Sequence, residues 1–315
     1  MNAADAATGH ADAAPQPLTR KSAIWAAILS LVWPGLGHIY GQSYRLGARL
    51  ALAMLCWMLG LAALTQVETV SAGSFAATLA WVALSPVLIV YAAAHAFITL
   101  RRHPLLPRPP WFRSAWVMVP LAFAAAQGFG ELVPRIAAWR VFSTPGSSMA
   151  PTIRVGDYLV AELRAYRHRP VERGDVVIFL TPRDRTEYVK RVIGLPGDRV
   201  QMRAGRLLVN GAEVPRELIG PMTLPVNGQD VTSRQYQFTL PDGRQFAALK
   251  TEDRGPLNDT REYEVPADAV FVLGDYLDDS LDSRIFGSIP LSDIIGRAAL
   301  IYWSRDRARV GASIS

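Results

Sequence analysis

The hydropathic pattern of the chain changes character once, near residue 131. Before that point apolar residues run in long stretches, at about 23–40, 47–65, 75–99 and 114–130, each close to the roughly 17–25 residues that a spanning helix needs. The pattern predicts a membrane domain over 22–130 with about four transmembrane helices. Pro34-Gly35-Leu36-Gly37 interrupts the first run, either as a kink or as a tight hairpin against the second helix; a re-entrant first run leaves three spans. Gly35 and Gly37 also suit close packing between helices. Residues 1–21 are Ala-rich and polar and lack periodicity. They are expected to be a disordered tail rather than a cleaved leader, because further apolar runs follow with no separate secreted domain between them.

Beyond residue 131 the runs shorten and turn residues separate them. Strands are predicted at 175–180, 188–193, 206–209, 235–240, 244–249, 269–273 and 298–303, with Asn210-Gly211 and Pro241-Asp242-Gly243 as hairpin turns. Strands of this length and spacing, with no long amphipathic helix, predict a mostly-β domain over 131–315, built as a barrel or a sandwich.

Composition agrees with a two-part chain. Half of the 315 residues are hydrophobic, too many for one ordinary soluble domain. The net charge of +6 comes from dispersed arginine with no Lys/Arg block of nucleic-acid type, which argues for topology or acidic lipid. Cys56 is the lone cysteine, so no intrachain disulfide forms. Arg45 and Arg49 follow the first apolar run, and Arg101, Arg102, Arg108 and Arg113 separate the third from the fourth, whereas the loop between the second and third carries only Glu68. Positive-inside bias therefore places both basic loops in the cytoplasm and everything after the last span outside. Arg20 and Lys21 vote the other way and are outnumbered.

The candidate chemistry lies in the β domain. Ser148 sits in Gly146-Ser147-Ser148-Met149-Ala150-Pro151-Thr152, where Pro151 pushes Ala150 out of helical geometry and holds the hydroxyl on a turn. A serine hydroxyl is a weak nucleophile without a base beside it. Only one of the five histidines, His168, follows the apolar runs; a Ser-His-Asp triad could use it, although its run of arginines reads as a solvated loop. Lysine is scarce: of 33 basic residues only Lys21, Lys190 and Lys250 are lysine. Arginine stays charged, whereas a buried lysine can lose its proton. Lys190, in a strand-like segment, is then either a buried base for Ser148 or an ordinary surface lysine on an edge strand.

Five segments in order, namely 147–152, 155–157, 173–177, 188–198 and 274–284, resemble the successive sequence boxes of bacterial type I signal peptidases. The resemblance implies a multi-span helical anchor followed by a mostly-β extracytoplasmic catalytic domain, with 199–266 as its variable β insertion. It implies a Ser/Lys-dyad serine endopeptidase with Ser148 as nucleophile and Lys190 as general base, and with Ser280 orienting the lysine amine. Asp282 and Arg284, with Asp275 and Arg191, match structural support beside the site.

For the oxyanion hole, Gly146 stands where some relatives carry a serine, which leaves the Ser148 backbone N–H and the Gly146 region; the Ser147 hydroxyl points away if the segment is extended. Tyr276, Leu277 and Asp279 depart from the residues usual in the last box. Phe142, Thr144, Met149 and Val189 are candidates for the substrate pocket, with core packing as the alternative for each. Met149, Trp111 and Trp116 are candidates for the lipid interface. The implied partners are exported preproteins and the phospholipid bilayer of the bacterial cytoplasmic membrane. Pro34 to Gly41, which resembles small two-helix membrane modules, is a candidate docking site for a further membrane partner. No metal or cofactor motif is present. Two other readings compete: a specialised Ser/Lys peptidase, such as one maturing a pilin or conjugation factor, and a catalytically silent membrane scaffold.

Overall fold

A computed structural model of the chain describes residues 18–64, 71–103, 105–107, 137–226, 229–251 and 257–314. They divide into two compact units, 1–63 with 79–135 and 64–78 with 136–315.

In the first apolar run, helix α1 (Ala23–Val32) ends at Trp33 and a short helix α2 (Leu36–Tyr40) follows. The break has a steric cause. Gly35 has φ +100°, and a Cβ there would meet Gly47 O at 2.2 Å; a Cβ on Gly37 would meet Ala26 O at 1.9 Å. Only glycine lets the chain turn this tightly against its neighbours. At 1.5 Å per residue α1 is about 15 Å long, half a hydrocarbon core, so this run is not one spanning helix. The second and third runs form α3 (Tyr44–Leu64) and α4 (Ala72–Arg102), the two helices long and apolar enough to cross a membrane among the described residues. Trp57 of α3 stacks on Trp81 of α4 with ring centroids 4.3 Å apart, and a Cβ on Gly60 would lie 2.7 Å from the Trp81 ring. The fourth run, with Trp111 and Trp116, falls outside the described residues. The tail departs from expectation at its end: strand β1 (Leu18–Arg20) pairs antiparallel with β2 (Leu105–Pro107).

The second unit is mostly β. Its main sheet contains seven strands: β3 (Trp139–Ser143), β4 (Tyr158–Glu162), β5 (Val176–Leu180), β6 (Glu187–Gly194), β14 (Ala269–Leu273), β15 (Ile289–Pro290) and β16 (Ile294–Trp303). Their spatial order is β15-β14-β6-β5-β16-β4-β3, with every pair antiparallel. Between β6 and β14 the chain forms two smaller sheets. One contains β7 (Arg199–Arg203), β8 (Arg206–Val209), β9 (Ala212–Glu213) and β13 (Tyr263–Glu264); the other contains β10 (Arg216–Val226), β11 (Gln229–Thr239) and β12 (Gln245–Lys250).

The turn between β8 and β9 is the expected Asn210-Gly211, with φ of 54° and 79°, both positive as the favoured two-residue hairpin requires. Phe238, Phe246, Ile193, Phe271 and Leu277 share one buried cluster, so the smaller sheets and the main sheet close over a common core. A second cluster, with Met149, Ile153, Leu159, Ile178 and Ile301, lies under the turn that carries Ser148.

Candidate active site

Ser148 lies on the connection between β3 and β4, and this connection is tied down from several directions. Thr144 N donates to Asp157 O at 3.1 Å, and Gly156 N donates back to Thr144 O at 3.0 Å, which closes the loop at its base. Inside it Ala150 N donates to Ser147 O and Ile153 N to Met149 O, both at 2.8 Å, around a cis Ala150-Pro151 bond. From outside, Tyr276 N donates to Ser148 O at 3.0 Å. Arg309 Nη2 donates to Thr152 O at 2.8 Å and to Asp157 Oδ2 at 2.7 Å. The serine is thus presented on a braced turn.

β6 brings the lysine. It lies inside the main sheet between β5 and β14, and Lys190 pairs with Val177, so the edge-strand alternative is excluded. Lys190 is 2% exposed. Its Nζ lies 2.6 Å from Ser148 Oγ and donates to Val189 O at 3.1 Å. Burial pulls the ammonium down to about 8; Asp282, Asp275 and Asp279 oppose that shift, and Arg284 adds to it. A lysine with this value is neutral in an appreciable fraction near neutral pH and can accept a proton at hydrogen-bond range. His168 does not line the cleft beside Ser148.

Two buried ion pairs flank the dyad. Arg191 Nε and Nη2 donate to Asp275 Oδ1 and Oδ2, each at 2.8 Å, and Nη1 donates to Gly174 O at 2.8 Å. Arg284 Nε and Nη2 donate to Asp282 at 2.8 and 2.7 Å, and Nη2 also donates to Leu277 O at 2.7 Å. Asp282 further accepts from Gly274 N at 3.1 Å. The Asp282 and Arg284 contacts tie down the backbone of 274–284, the loop behind Lys190, and the Arg191 pair links Asp275 of that loop to the Gly174 carbonyl.

Ser280 does not match. Its Oγ is buried without a hydrogen-bond partner, packed 2.2 Å from where a Cβ on Gly274 would lie. The implied bond to the lysine is not made here, and the amine takes the Val189 carbonyl instead.

A cleft of about 370 Å³ opens beside the dyad between residues 143–149 and 186–190. Thr144, Met149 and Val189 line it; Phe142 packs behind them on the Met149 cluster. Met149 is 3% exposed, which removes it from the lipid interface and makes it the cleft floor. The Ser148 N–H has no acceptor among the described residues, as an oxyanion donor requires. A Cβ on Gly146 would meet nothing within 4 Å; that position is open. The Ser147 hydroxyl donates to Asp279 Oδ2 at 2.5 Å, away from the nucleophile. Among the described residues no group of three or more His, Cys, Asp or Glu side chains is arranged to hold a metal ion.

The sequence model of the family described as signal peptidase, peptidase S26, matches residues 111–303, more than half of the chain. The chain belongs to the S26 signal peptidase family. It is therefore a serine endopeptidase of a membrane-associated kind. Signal peptidase I of Bacillus caldolyticus is 31% identical over 196 residues, which cover 62% of this chain and 90% of that protein. The Leptolyngbya laminosa signal peptidase I is 33% identical over 171 residues, or 52% of this chain and 68% of that one. A crystal structure of a signal peptidase I from Enterococcus faecalis V583 covers 41% of this chain and 97% of its own, at 25% identity and a TM-score of 0.27.

Several residues of this S26 peptidase's site escaped the sequence reading. Thr152 donates to Asp275 Oδ2 at 2.5 Å and joins the turn to the Arg191 pair. Arg309 braces the turn from the far end of the chain. Lys250, fully buried, contacts Asn258 and lies 3.2 Å from Asp278 Oδ1, pinning β12 to the loop behind Lys190. Lysine scarcity was the signal for Lys250; Arg309 had none among so many arginines.

Proposed function

We propose that this chain removes signal peptides from exported preproteins at the bacterial cytoplasmic membrane, cutting after a small-X-small motif, with Ser148 as nucleophile and Lys190 as general base. The observation that carries this reading is the 2.6 Å approach of a buried lysine amine to a serine hydroxyl on a braced turn.

In the forward step neutral Lys190 takes the proton of Ser148 as Oγ attacks the scissile carbonyl. The oxyanion that forms is met by the Ser148 N–H, and Gly146 leaves room beside it. Protonated Lys190 then gives its proton to the leaving amine, which frees the mature chain and leaves an acyl-enzyme on Ser148. A water entering the cleft loses its proton to Lys190 and attacks the ester; as the signal peptide leaves, Lys190 returns that proton to Ser148 Oγ and both residues are restored. Ser147, bonded to Asp279, takes no part, and Ser280, which makes no hydrogen bond to the amine, packs against Gly274 in this arrangement.

The small-residue requirement follows from the cleft. Thr144 and Val189 line the cleft with the buried Met149, and a large side chain that displaced packed atoms there would cost about 1–3 kcal/mol. In this reading residues 22–130 anchor the enzyme in the bilayer, with α3 and α4 as spans, and 131–315 form the catalytic domain outside, with 199–266 as its β insertion.

The test is cleavage of a preprotein carrying an Ala-X-Ala site by the full-length protein in detergent micelles. The wild type is expected to cut after the second alanine, and Ser148→Ala and Lys190→Ala to leave the preprotein intact. An active Lys190→Ala variant overturns the dyad.

A further inference from the structure

The cleft has a second feature at the end remote from Ser148. Thr144 lines the cleft just past the end of β3; two and four residues back, at the strand period of two, come Phe142, packed on the Met149 cluster behind the cleft, and Arg140. Arg140 lies over the Phe142 ring, its guanidinium carbon 4.2 Å from the ring centroid. Its Nη2 also bonds to Glu187 Oε1. Glu187 is the first residue of β6 and lines the same cleft as Ser148 and Lys190. β3 and β6 are not neighbours in the sheet. The ion pair therefore crosses the gap between the two strands that a substrate segment must enter.

We propose that Arg140 and Glu187 form an outer specificity subsite, receiving the side chain of the fifth residue upstream of the scissile bond and accepting a short polar side chain there in preference to a large aliphatic one. This rests on the signal-peptide reading above. The register follows from the period of two: with the first upstream residue against Thr144 and Val189, the third falls level with Phe142 and the fifth level with the ion pair.

The preference follows from the chemistry of the pair. Both side chains are close to half exposed, at 46% and 45%, so water still solvates them. A leucine laid across them strips that water from two charges with no new bond in return. A serine or glutamine returns a hydrogen bond, because the guanidinium keeps unused N–H groups and the carboxylate unused lone pairs. The cleft is thus apolar and shallow near Ser148 and charged at its outer end, so a hydrophobic segment is accommodated only beyond the pair. An exposed ion pair is weakly held, which allows it to part as the substrate enters.

The test uses the full-length protein in micelles and four peptides, identical except for Ser, Leu, Lys or Asp at the fifth upstream position, with alanine at the first and third. The readout is the ratio of kcat/KM between peptides within each protein, so a general loss of activity cancels. The wild type is expected to favour Ser over Leu by about tenfold, and Arg140→Ala/Glu187→Ala to bring that ratio near unity. Arg140→Ala, which leaves Glu187 unopposed, favours Lys over Asp; Glu187→Ala favours Asp over Lys. The exchanged pair Arg140→Glu/Glu187→Arg recovers the preference for Ser over Leu. A purely structural ion pair would not invert the Lys/Asp ratio between the two single variants. Cleavage of all four peptides with the same ratios in every protein overturns the subsite alone. Failure of the wild type to cut any of them overturns the signal-peptide reading and the subsite with it.

Discussion

At the scale of single residues the account turns on the proton of Lys190. The folded chain holds this amine at about 8, against 10.5 for an unperturbed lysine. Between those values the unfolded chain binds more protons than the folded one, so stability rises with pH across that window; below it both states are protonated and the folded state carries the full penalty of a buried charge. A shift of this size corresponds to about 3 kcal/mol. Lys190→Met should therefore be more stable than the wild type at neutral pH by up to about that amount, with the difference shrinking as pH rises towards the unperturbed value. Thermal melts of both proteins at neutral and alkaline pH check this, and a Met variant that melts lower at neutral pH contradicts the burial argument. Asp279 is the chain's own addition to this balance. Its carboxylate favours the charged lysine, so Asp279→Asn, which can still accept the Ser147 hydroxyl, should shift the alkaline rise of activity to lower pH. No shift, or one in the other direction, removes Asp279 from the charges that act on the base.

At the scale of elements the braced turn is the part most open to test. Arg309 bonds two backbone and carboxylate partners in 151–157, and no other described side chain bonds the Thr152 carbonyl. Charge-assisted hydrogen bonds of this kind contribute about 1.5–3 kcal/mol. Arg309→Ala should lower kcat more than it raises KM, because the turn loses its hold on Ser148 while the cleft wall at 186–190 stays in place; an effect on KM alone argues that the brace is incidental.

The strands that position the dyad were legible in the sequence because β5, β6 and β14 are compact apolar runs with clean turn signals. β10 and the first half of β11 were not. Gly220, Pro221 and Pro225 break the alternation of β10 and read as loop, yet β10 is the edge of its sheet, where proline costs no ladder bond. The first apolar run stayed open between a span and a tight hairpin for a different reason: its composition is that of a span, and the contacts of Gly35 and Gly37 break it after α1. Lys190 stood out because lysine is scarce; Ser280 was placed by resemblance, and its bond to the amine is absent. Met149 reads equally as lipid anchor or core residue until the turn is seen folded over it.

At the scale of the whole molecule the proposal is an enzyme whose substrates arrive through a membrane. α3 and α4 are apolar on surfaces that the protein leaves exposed, among them Leu52, Leu59, Val87 and Val90, and such surfaces call for lipid or another helix. In the proposed orientation, drawn from the arginine distribution, the β domain lies on the far side from the cytoplasm. A reporter enzyme that is active only outside the cytoplasm, fused after the last residue, should be active in cells. The same reporter fused within the basic loop that follows α4 should be silent. The reverse pattern would put the cleft on the side where signal peptides are made rather than where they emerge.

The most direct test of the central claim is the pH dependence of kcat/KM for an Ala-X-Ala peptide, measured over roughly pH 6 to 10. If neutral Lys190 is the base, kcat/KM rises with pH through a single ionisation near 8, and Asp279→Asn moves that limb downwards. A profile that is flat across the range, or a rise centred near the ordinary histidine value and unchanged in the Asp279 variant, contradicts it.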